Sequence, residues 1–559
     1  MNEKEERHSF SFVEDYESFT AAQRKLLDQY VTNTSRHIFA LRNLPEVMKG
    51  ALFSRYSRSS LGLRSLLLKE FIGNDEEALF SSLTQGAANR SAESIDQQAE
   101  AIQKAQQFYD RILDGYGDDS IGELGGAHLA LENVSMIAAK AIEDSRIGGS
   151  PLEKSSRYVY FDQKVHGKYP FYEEPVLMTS AYRDLYIATC NELFDTYSRL
   201  LPQVTHLFEG LYPKGEEISA AGYRAALRAK VLDALRGLLP AATLTNVGLF
   251  GNGRFFEKLL HRLHCHDLTE LQDIGRGIQE ELSKVIPSFV RRADPCHRTH
   301  QSYASFKAAM ENDLSEVAAL HQELVERQLL PGVRLVDRDP EGLVSVAAAL
   351  LYPYGNKGLR ELRDYCHKLS EEQIEQLLDA AVGARENRRH KSPRALEQAN
   401  FTFEIIADYG AYRDLQRHRL LSQERQQLCC DYGFWTPQEL QDSPFVDQYE
   451  RAMWRAKEAF DAIAKELPKE AQYVVPNGYR IRWYMKANLR ALQWLCELRS
   501  QPQGHPSYRW IAQEMARQVS DAVPSFERFF KFVDYTGYEL GRLDAELRLH
   551  EAAPPPAFS

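Results

Sequence analysis

Arg417, His418 and Arg419 stand side by side within RDLQRHRLLSQERQQLCC, the segment from Arg413 to Cys430. Neighbours in sequence cannot share one helix face, so the three side chains must present charge in different directions. Two anionic partners, such as a nucleotide phosphate and a cofactor pyrophosphate, suit that divergence; a solvated basic patch is what charge alone would give. A second cluster, Glu153-Lys154-Ser155-Ser156-Arg157-Tyr158, combines hydroxyl donors with a guanidinium fork, a set able to hold a phosphate. No base neighbours Ser155, so its hydroxyl is read as a ligand and not as a nucleophile.

The elements around these clusters repeat. The arginine-histidine triplet follows an apolar run, NFTFEIIADYGAY, and the Glu153 cluster follows the Ala-rich stretch from His128 to Asp144, which reads as helical. A Gly-Gly-Ser-Pro loop precedes Glu153, and RYVYF from Arg157 onward has the β-branched and aromatic content of a strand. Pro240 is followed twelve residues later by Asn252-Gly253-Arg254, and Pro476 twelve residues later by Asn488-Leu489-Arg490. Each triplet opens an amphipathic run with a further arginine, Arg262 or Arg499. Such self-similarity predicts two copies of one unit.

The triplet, Ser422 three residues after it, and LEQANFTFEI before it resemble the signature of the flavin-dependent thymidylate synthases. That family continues with Asn/Glu-x-x-Ser-x-Arg-Tyr, whereas QERQQLCC follows Ser422 here. The missing tail matches Glu153 to Tyr158 in the first copy, which in turn has only Ser145-Arg146-Ile147 where the triplet belongs. The copies therefore lack complementary halves. The resemblance implies an α/β (α+β) protein of two homologous domains, each a mainly antiparallel sheet with packed helices. Residues 1–33 are read as a helical arm, 34–328 as the first repeat, 329–545 as the second, and 546–559 as a disordered Pro- and Ala-rich tail.

By the same resemblance, Arg417, His418 and Arg419 hold flavin phosphates, with Arg417 also reaching the nucleotide. Glu153, Ser155, Ser156, Arg157 and Arg236 cradle deoxyuridylate, Glu153 bordering the flavin as well. Gln472 replaces Arg236 in the second copy. Asn252 with Arg254, and Asn488 with Arg490, match the flavin-contacting triplet; Ser120 and Ser392 match a small hydroxyl residue preceding Glu123 and Glu397. Arg262 and Arg499 match the arginine that favours pyrimidine ionisation at N3, and Arg499, which aligns without a gap, ranks first. The implied reaction converts dUMP to dTMP with FAD as cofactor and NADPH and methylenetetrahydrofolate as co-substrates, with no covalent cysteine. A chain dimer replaces the family's homotetramer. A C5-methylase of another uridine nucleotide, or a decayed nucleotide-binding homologue, are the alternatives.

Composition is that of a soluble globular protein. The 559 residues are 43% hydrophobic and 26% charged, a length that calls for more than one core. A net charge of −11 argues against an extended nucleic-acid surface. The charged start MNEKEERHSF and the absence of long apolar runs predict a cytoplasmic protein without membrane segments. Seven cysteines show no framework spacing. His261, His264, Cys265 and His266 raise a metal site that Cys296-His297-x-x-His300 could complete only if the fold brings it near; no metal is expected. Gly248-x-x-Gly251-x-Gly253 fits a dinucleotide fingerprint poorly.

Overall fold

A computed structural model describes residues 19–35, 38–44, 46–56, 59, 61–72, 122–216, 218–322, 324–325 and 331–552. Ser120, the expected helix from Ala99 to Gly115 and the last residues of the chain lie outside these. The first repeat builds a three-stranded sheet from β1 (Gly126–Ser135), β2 (Gly149–Glu153) and β3 (Leu244–Asn252), in the order β1-β3-β2. The second builds β4 (Gly332–Arg338), β5 (Asn400–Asp408), β6 (Ser422–Arg425) and β7 (Arg480–Asn488), in the order β4-β5-β7-β6. All pairs are antiparallel. The chain is thus two homologous sheet-and-helix domains of mixed α and β structure.

The packed helices are α1 (Met136–Glu143), α2 (Arg183–Leu211), α3 (Ala220–Leu235), α4 (Gly253–His264), α5 (Gly342–Leu351), α6 (Tyr409–Leu415), α7 (Val446–Ile463), α8 (Leu489–Arg499) and α9 (Pro506–Ala522). In both repeats a strand becomes a helix at a capping side chain. Ser135 and Asp408 accept from Ala138 N and Ala411 N at 3.0 and 2.8 Å; Asn252 and Asn488 accept from Phe255 N and Ala491 N at 2.8 and 2.9 Å. These caps satisfy amides that the first helical turn leaves free. The asparagine of each Asn-x-Arg triplet is therefore first a helix cap.

Two elements differ from their sequence reading. His128–Asp144 is a strand as far as Ser135 and a helix only over α1. Alanine favours helix, but Ala127 and Leu131 point into the core while His128 and Ala130 point out, and pairing with β3 decides the outcome. RYVYF is not a strand: Tyr158 N and Val159 N both donate to Ser155 O, at 3.2 and 3.1 Å, closing a turn that carries Arg157 into the interior. The strand lies earlier, over Gly149–Glu153, where Pro151 is tolerated because β2 is an edge.

The repeats meet across a local two-fold. Pro240 and Pro476, the equivalent landmarks, form an antiparallel bridge with each other. Around it Ala241 N donates to Val475 O and Asn477 N to Leu239 O, at 2.8 and 2.9 Å; Ala242 N donates to Tyr473 O and Gly478 N to Gly237 O, at 3.0 and 2.8 Å. Each bond has its symmetric twin, the pattern of an isologous interface within one polypeptide. One continuous core runs through it, including Leu238, Leu239, Val474 and Val475. Residues near the N-terminus form a separate cluster around Leu27, Leu52 and Leu66. Among the described residues no helix is long and apolar enough to cross a membrane.

Close approach at this two-fold depends on Gly237, where a Cβ would overlap the Tyr449 hydroxyl and lie 3.5 Å from Gly478 Cα. Gly237→Ala is expected to cost about 1–3 kcal/mol through forced displacement of Tyr449. A urea-unfolding midpoint equal to that of the parent chain would show that the interface yields freely.

Candidate active site

The second repeat delivers the cationic triplet just past the end of α6. Asp408 starts the helix, Gln416 ends it, and the following turn splays the side chains: Arg417 and Arg419 are exposed while His418 is buried. The divergence expected from adjacency is present. All three line a cavity of about 420 Å³ together with Ser392, Asn488, Arg490 and Arg499. Arg388, Lys391 and Trp494 also line it, as do the carboxylate residues Glu397 and Glu497.

Arg490 reaches Ser392 O at 2.9 Å and Glu397 Oε1 at 2.8 Å, tying the start of α8 to the loop that carries Ser392. The Ser392 hydroxyl is buried and has no hydrogen-bond partner. An orphaned donor beside several guanidinium groups fits the chemistry of a ligand with phosphate and polar ring atoms. Arg499 Nε donates to His418 Nε2 at 2.9 Å. Burial, reinforced by Arg499, pushes the His418 imidazole well below its ordinary value, so it stays neutral and able to accept that bond.

Glu153 of the first repeat lies under this cavity, between the domains. It pairs with Arg413 at 2.6 Å and Lys140 at 2.9 Å, and Arg417 is 3.9 Å away. Burial opposes its charge, yet Arg413 and Lys140 outweigh burial and hold its carboxyl at about 2. Arg419 donates to the Gly149 carbonyl and approaches Ser150 Oγ at 3.3 Å, on the strand leading to Ser155. The triplet of one copy and the hydroxyl cluster of the other therefore adjoin.

Arg157 is buried, donating through Nε and Nη2 to Asp233 at 2.6 Å each and through Nη1 to Tyr508 Oη at 2.8 Å. Tyr508 also lies 5.6 Å beneath the Arg499 guanidinium, linking the first repeat's cluster to the cavity. Arg236 pairs with Asp414 at 2.9 Å. Burial disfavours the Asp414 charge, but Arg236, Arg157 and Arg417 hold it far below the usual carboxylate range. Ser155 Oγ accepts from Arg157 N at 3.2 Å, and Ser156 is buried beside it. Asp233, Asp414, Tyr508, Lys140 and Arg413 were not singled out from sequence. Only Lys140, a cation inside the apolar helix MIAAKAIE, carried a local signal.

The first repeat's counterparts form a different place. Arg254 pairs with Glu123 at 2.7 Å, mirroring Arg490 with Glu397, but both partners are half exposed. Where Ala491 lines the cavity, the equivalent Phe255 is buried with its ring where a Cβ on Gly149 or Gly251 would sit. Arg262 bonds Ala141 O at 3.0 Å and Ser145 Oγ at 3.3 Å, outside the cavity that Arg499 lines. Counted from the capping asparagine, Leu263 and not Arg262 is the positional equivalent of Arg499, and one residue turns a helix by about 100°. Asn252 caps α4 and does not reach the cavity.

The fold does bring His300 to the histidine cluster: its Nδ1 lies 2.9 Å from His261 Nδ1 and its Nε2 3.8 Å from Cys265 Sγ. The imidazoles bond each other, and among the described residues no group of three or more His, Cys, Asp or Glu side chains is arranged to hold a metal ion.

Removing the Glu153 carboxylate leaves the buried Arg413 without its ion-pair partner and Lys140 with Glu143 alone. Glu153→Ala is expected to cost about 3–5 kcal/mol, measured by denaturant unfolding; a loss below 1 kcal/mol would mean that solvent takes over the cations. Burial, with Arg236, holds His505 at about 3 against an ordinary 6.5. A folded pKa below the unfolded one means that stability is complete above 6.5 and falls as pH drops toward 3. This histidine is expected to contribute a slope of about 1.4 kcal/mol per pH unit in that window. His505→Gln should flatten the dependence of unfolding midpoint on pH between 6.5 and 4.5; an unchanged slope would contradict this.

Comparison with known proteins places the arrangement. The family profile described as thymidylate synthase complementing protein matches residues 72–288 and again 334–525. A UPF0159 protein of Chlamydia pneumoniae is 55% identical over 532 residues, covering 95% of this chain and 98% of its own length. Another from Chlamydia muridarum is 54% identical over 530 residues, with the same coverage. One from Thermoplasma acidophilum is 34% identical over 527 residues, covering 89% of this chain and 98% of its own. With the profile matched twice and the two sheets related by a local two-fold, the chain belongs to the flavin-dependent, thymidylate synthase complementing protein family, in tandem duplicated form.

Proposed function

We propose that the protein is a flavin-dependent thymidylate synthase that methylates dUMP at C5, using methylenetetrahydrofolate and NADPH, through one composite site per chain. The observation that carries this reading is the cavity lined by Arg417, His418, Arg419, Ser392, Asn488, Arg490 and Arg499, adjoining Glu153 and Arg157 of the other repeat. FAD, when bound, supplies the two-electron redox chemistry. Arg417, Arg419 and Arg490 bring the positive charge its pyrophosphate needs, and the Ser392 hydroxyl an unspent donor.

Arg499 is the residue to act on the pyrimidine. A guanidinium beside the imide stabilises the N3 anion, which raises electron density at C5 and makes that carbon nucleophilic toward the folate's one-carbon unit. His418 accepts from Arg499 and Tyr508 lies against its face, so its direction is set before substrate arrives. Ser155, Ser156, Arg157 and Arg417 seat the nucleotide phosphate. Arg157 and Arg236 already hold Asp233 and Asp414, so these two arginines are pre-oriented and partly neutralised. Arg417, exposed and 3.9 Å from Glu153, supplies further positive charge. Asn252, Arg254 and Arg262 are assigned no role in this site, since the first repeat's equivalent space is filled by Phe255.

The test is incubation of the purified chain with FAD, NADPH, methylenetetrahydrofolate and dUMP. Thymidylate should form, and Arg417→Ala and Arg157→Ala should each abolish it. Arg499→Lys should lower kcat by about 100-fold, as loss of a placed charge donor does. Ser392→Ala should weaken FAD binding by about tenfold, read by flavin fluorescence. Full activity in either alanine variant would end the composite-site reading.

A further inference from the structure

Trp494 lines the cavity yet belongs to none of the motifs that bring the other lining residues together. Its indole is 36% exposed, whereas Leu492, Leu495 and Cys496 beside it on α8 are buried. Among the described residues no Phe, Tyr or other Trp lines this space. A large apolar ring left in water among guanidinium groups forgoes burial that a planar ligand would restore.

The helix accounts for how the ring is presented. Asn488, Ala491, Trp494 and Leu498 follow one another at steps of three, three and four residues, which is one face of α8, and all four line the cavity. Ala491 is small, so room remains beside the indole. From the loop that carries Ser392, the Arg388 guanidinium lies 5.6 Å from the centre of the indole ring. One element supplies the plate and a second steadies it. The first repeat gives the contrast: counted from the capping Asn252, the place of Trp494 is taken by Lys258, exposed on a helix whose Phe255 closes the equivalent space. The aromatic ring stands in the repeat that keeps the space open.

Position along α8 selects the ring that meets it. With the cavity taken as the flavin site proposed above, on which this inference rests, Arg490 serves the cofactor pyrophosphate and Arg499 the pyrimidine. Trp494 lies between them, four residues past Arg490 and five before Arg499, or about 6 and 7.5 Å along the axis. The portion of FAD that spans from its pyrophosphate to a reacting pyrimidine is the isoalloxazine; the adenine is attached on the other side of the pyrophosphate. We propose that Trp494 is the stacking platform for the isoalloxazine, fixing the plane of that ring between Arg490 and Arg499. An indole is electron-rich and an oxidised isoalloxazine electron-poor, so contact of their faces is favourable and quenches flavin emission.

Equilibrium dialysis of the full chain against FAD measures affinity, and emission per bound FAD reports what lies against its ring. Emission from FAD on the parent chain should be weaker than on Trp494→Ala, and that variant should bind FAD about tenfold less tightly. Trp494→Phe keeps a flat ring that is a poorer electron donor, so it should hold FAD within about threefold of the parent while emission rises. ADP carries the adenine and pyrophosphate without the flavin, and its affinity, read by calorimetry, should be the same for parent and Trp494→Ala. Equal emission from FAD on the parent and on Trp494→Ala would overturn the stacking. A loss of ADP affinity as large as the loss for FAD would put the adenine on Trp494 and overturn the assignment. A parent chain that takes up no FAD would end the flavin reading of the cavity itself, and this inference with it.

Discussion

A carboxylate buried between two domains is costly unless cations meet it, and in this chain each domain supplies one. Glu153 sits at the end of β2 with Lys140 of its own repeat and Arg413 of the other within ion-pair distance. Lys140 and Arg413 occupy equivalent places, each five residues past the cap that starts α1 or α6. Two like charges brought together by a local two-fold would repel in a dry interior; Glu153, which meets both, and Glu143, which meets Lys140, make the juxtaposition stable. The place equivalent to Glu153 on β6 is Arg425, opposite Trp483 as Glu153 is opposite Val247. Symmetry in the backbone and asymmetry in the charges thus belong to one constraint.

Everything near the cavity is downstream of that contact. Arg417 and Arg419 leave the end of α6, whose register against the first repeat is set by Arg413 on Glu153 and by Gln416 on Lys140 O at 3.1 Å. Arg157 follows Glu153 along the chain and is turned inward to Asp233 and Tyr508, and Tyr508 in turn lies against Arg499. Guanidinium groups outnumber carboxylates along this path, leaving positive charge where the cavity opens. Burial keeps His418 neutral in the midst of them, so it acts as an acceptor and not as one more cation.

Much of this was legible in the sequence because resemblance and repetition act on short, contiguous patterns. The triplet at Arg417, the cluster at Glu153 and the Pro-to-Asn spacings are all local, and the structure brings the first two together and joins the prolines across the two-fold. What was illegible is carried by tertiary contact. Asp233 on α3 and Tyr508 on α9 have no spacing relation to Arg157, yet they fix its direction. RYVYF reads as a strand by composition, but a buried arginine needing a carboxylate partner outweighs β propensity there. In β1 the alanines spoke for helix, and only alternation across Ala127, His128, Ala130 and Leu131 spoke for a strand. The difference between Arg262 and Arg499 is a single helical step, and the one-residue gap needed to align Arg262 already marked it in the sequence.

Fusion of the two units explains why such single steps matter. In a homo-oligomer every surface position serves both sides of each two-fold, so a residue that fills space at one site fills it at all. Within one polypeptide the positions separate: Ala491 can leave a cavity open while Phe255 closes the equivalent space, and Arg499 can face inward while Leu263 joins the core. Closing the unused space adds buried aromatic surface to the first repeat, at roughly 25 cal/mol per Å². Phe255 thereby packs against Gly149 and Gly251 of the sheet that carries Glu153. The cationic turn of the second repeat, with two of its three side chains exposed, is anchored to that sheet through Arg413 on Glu153.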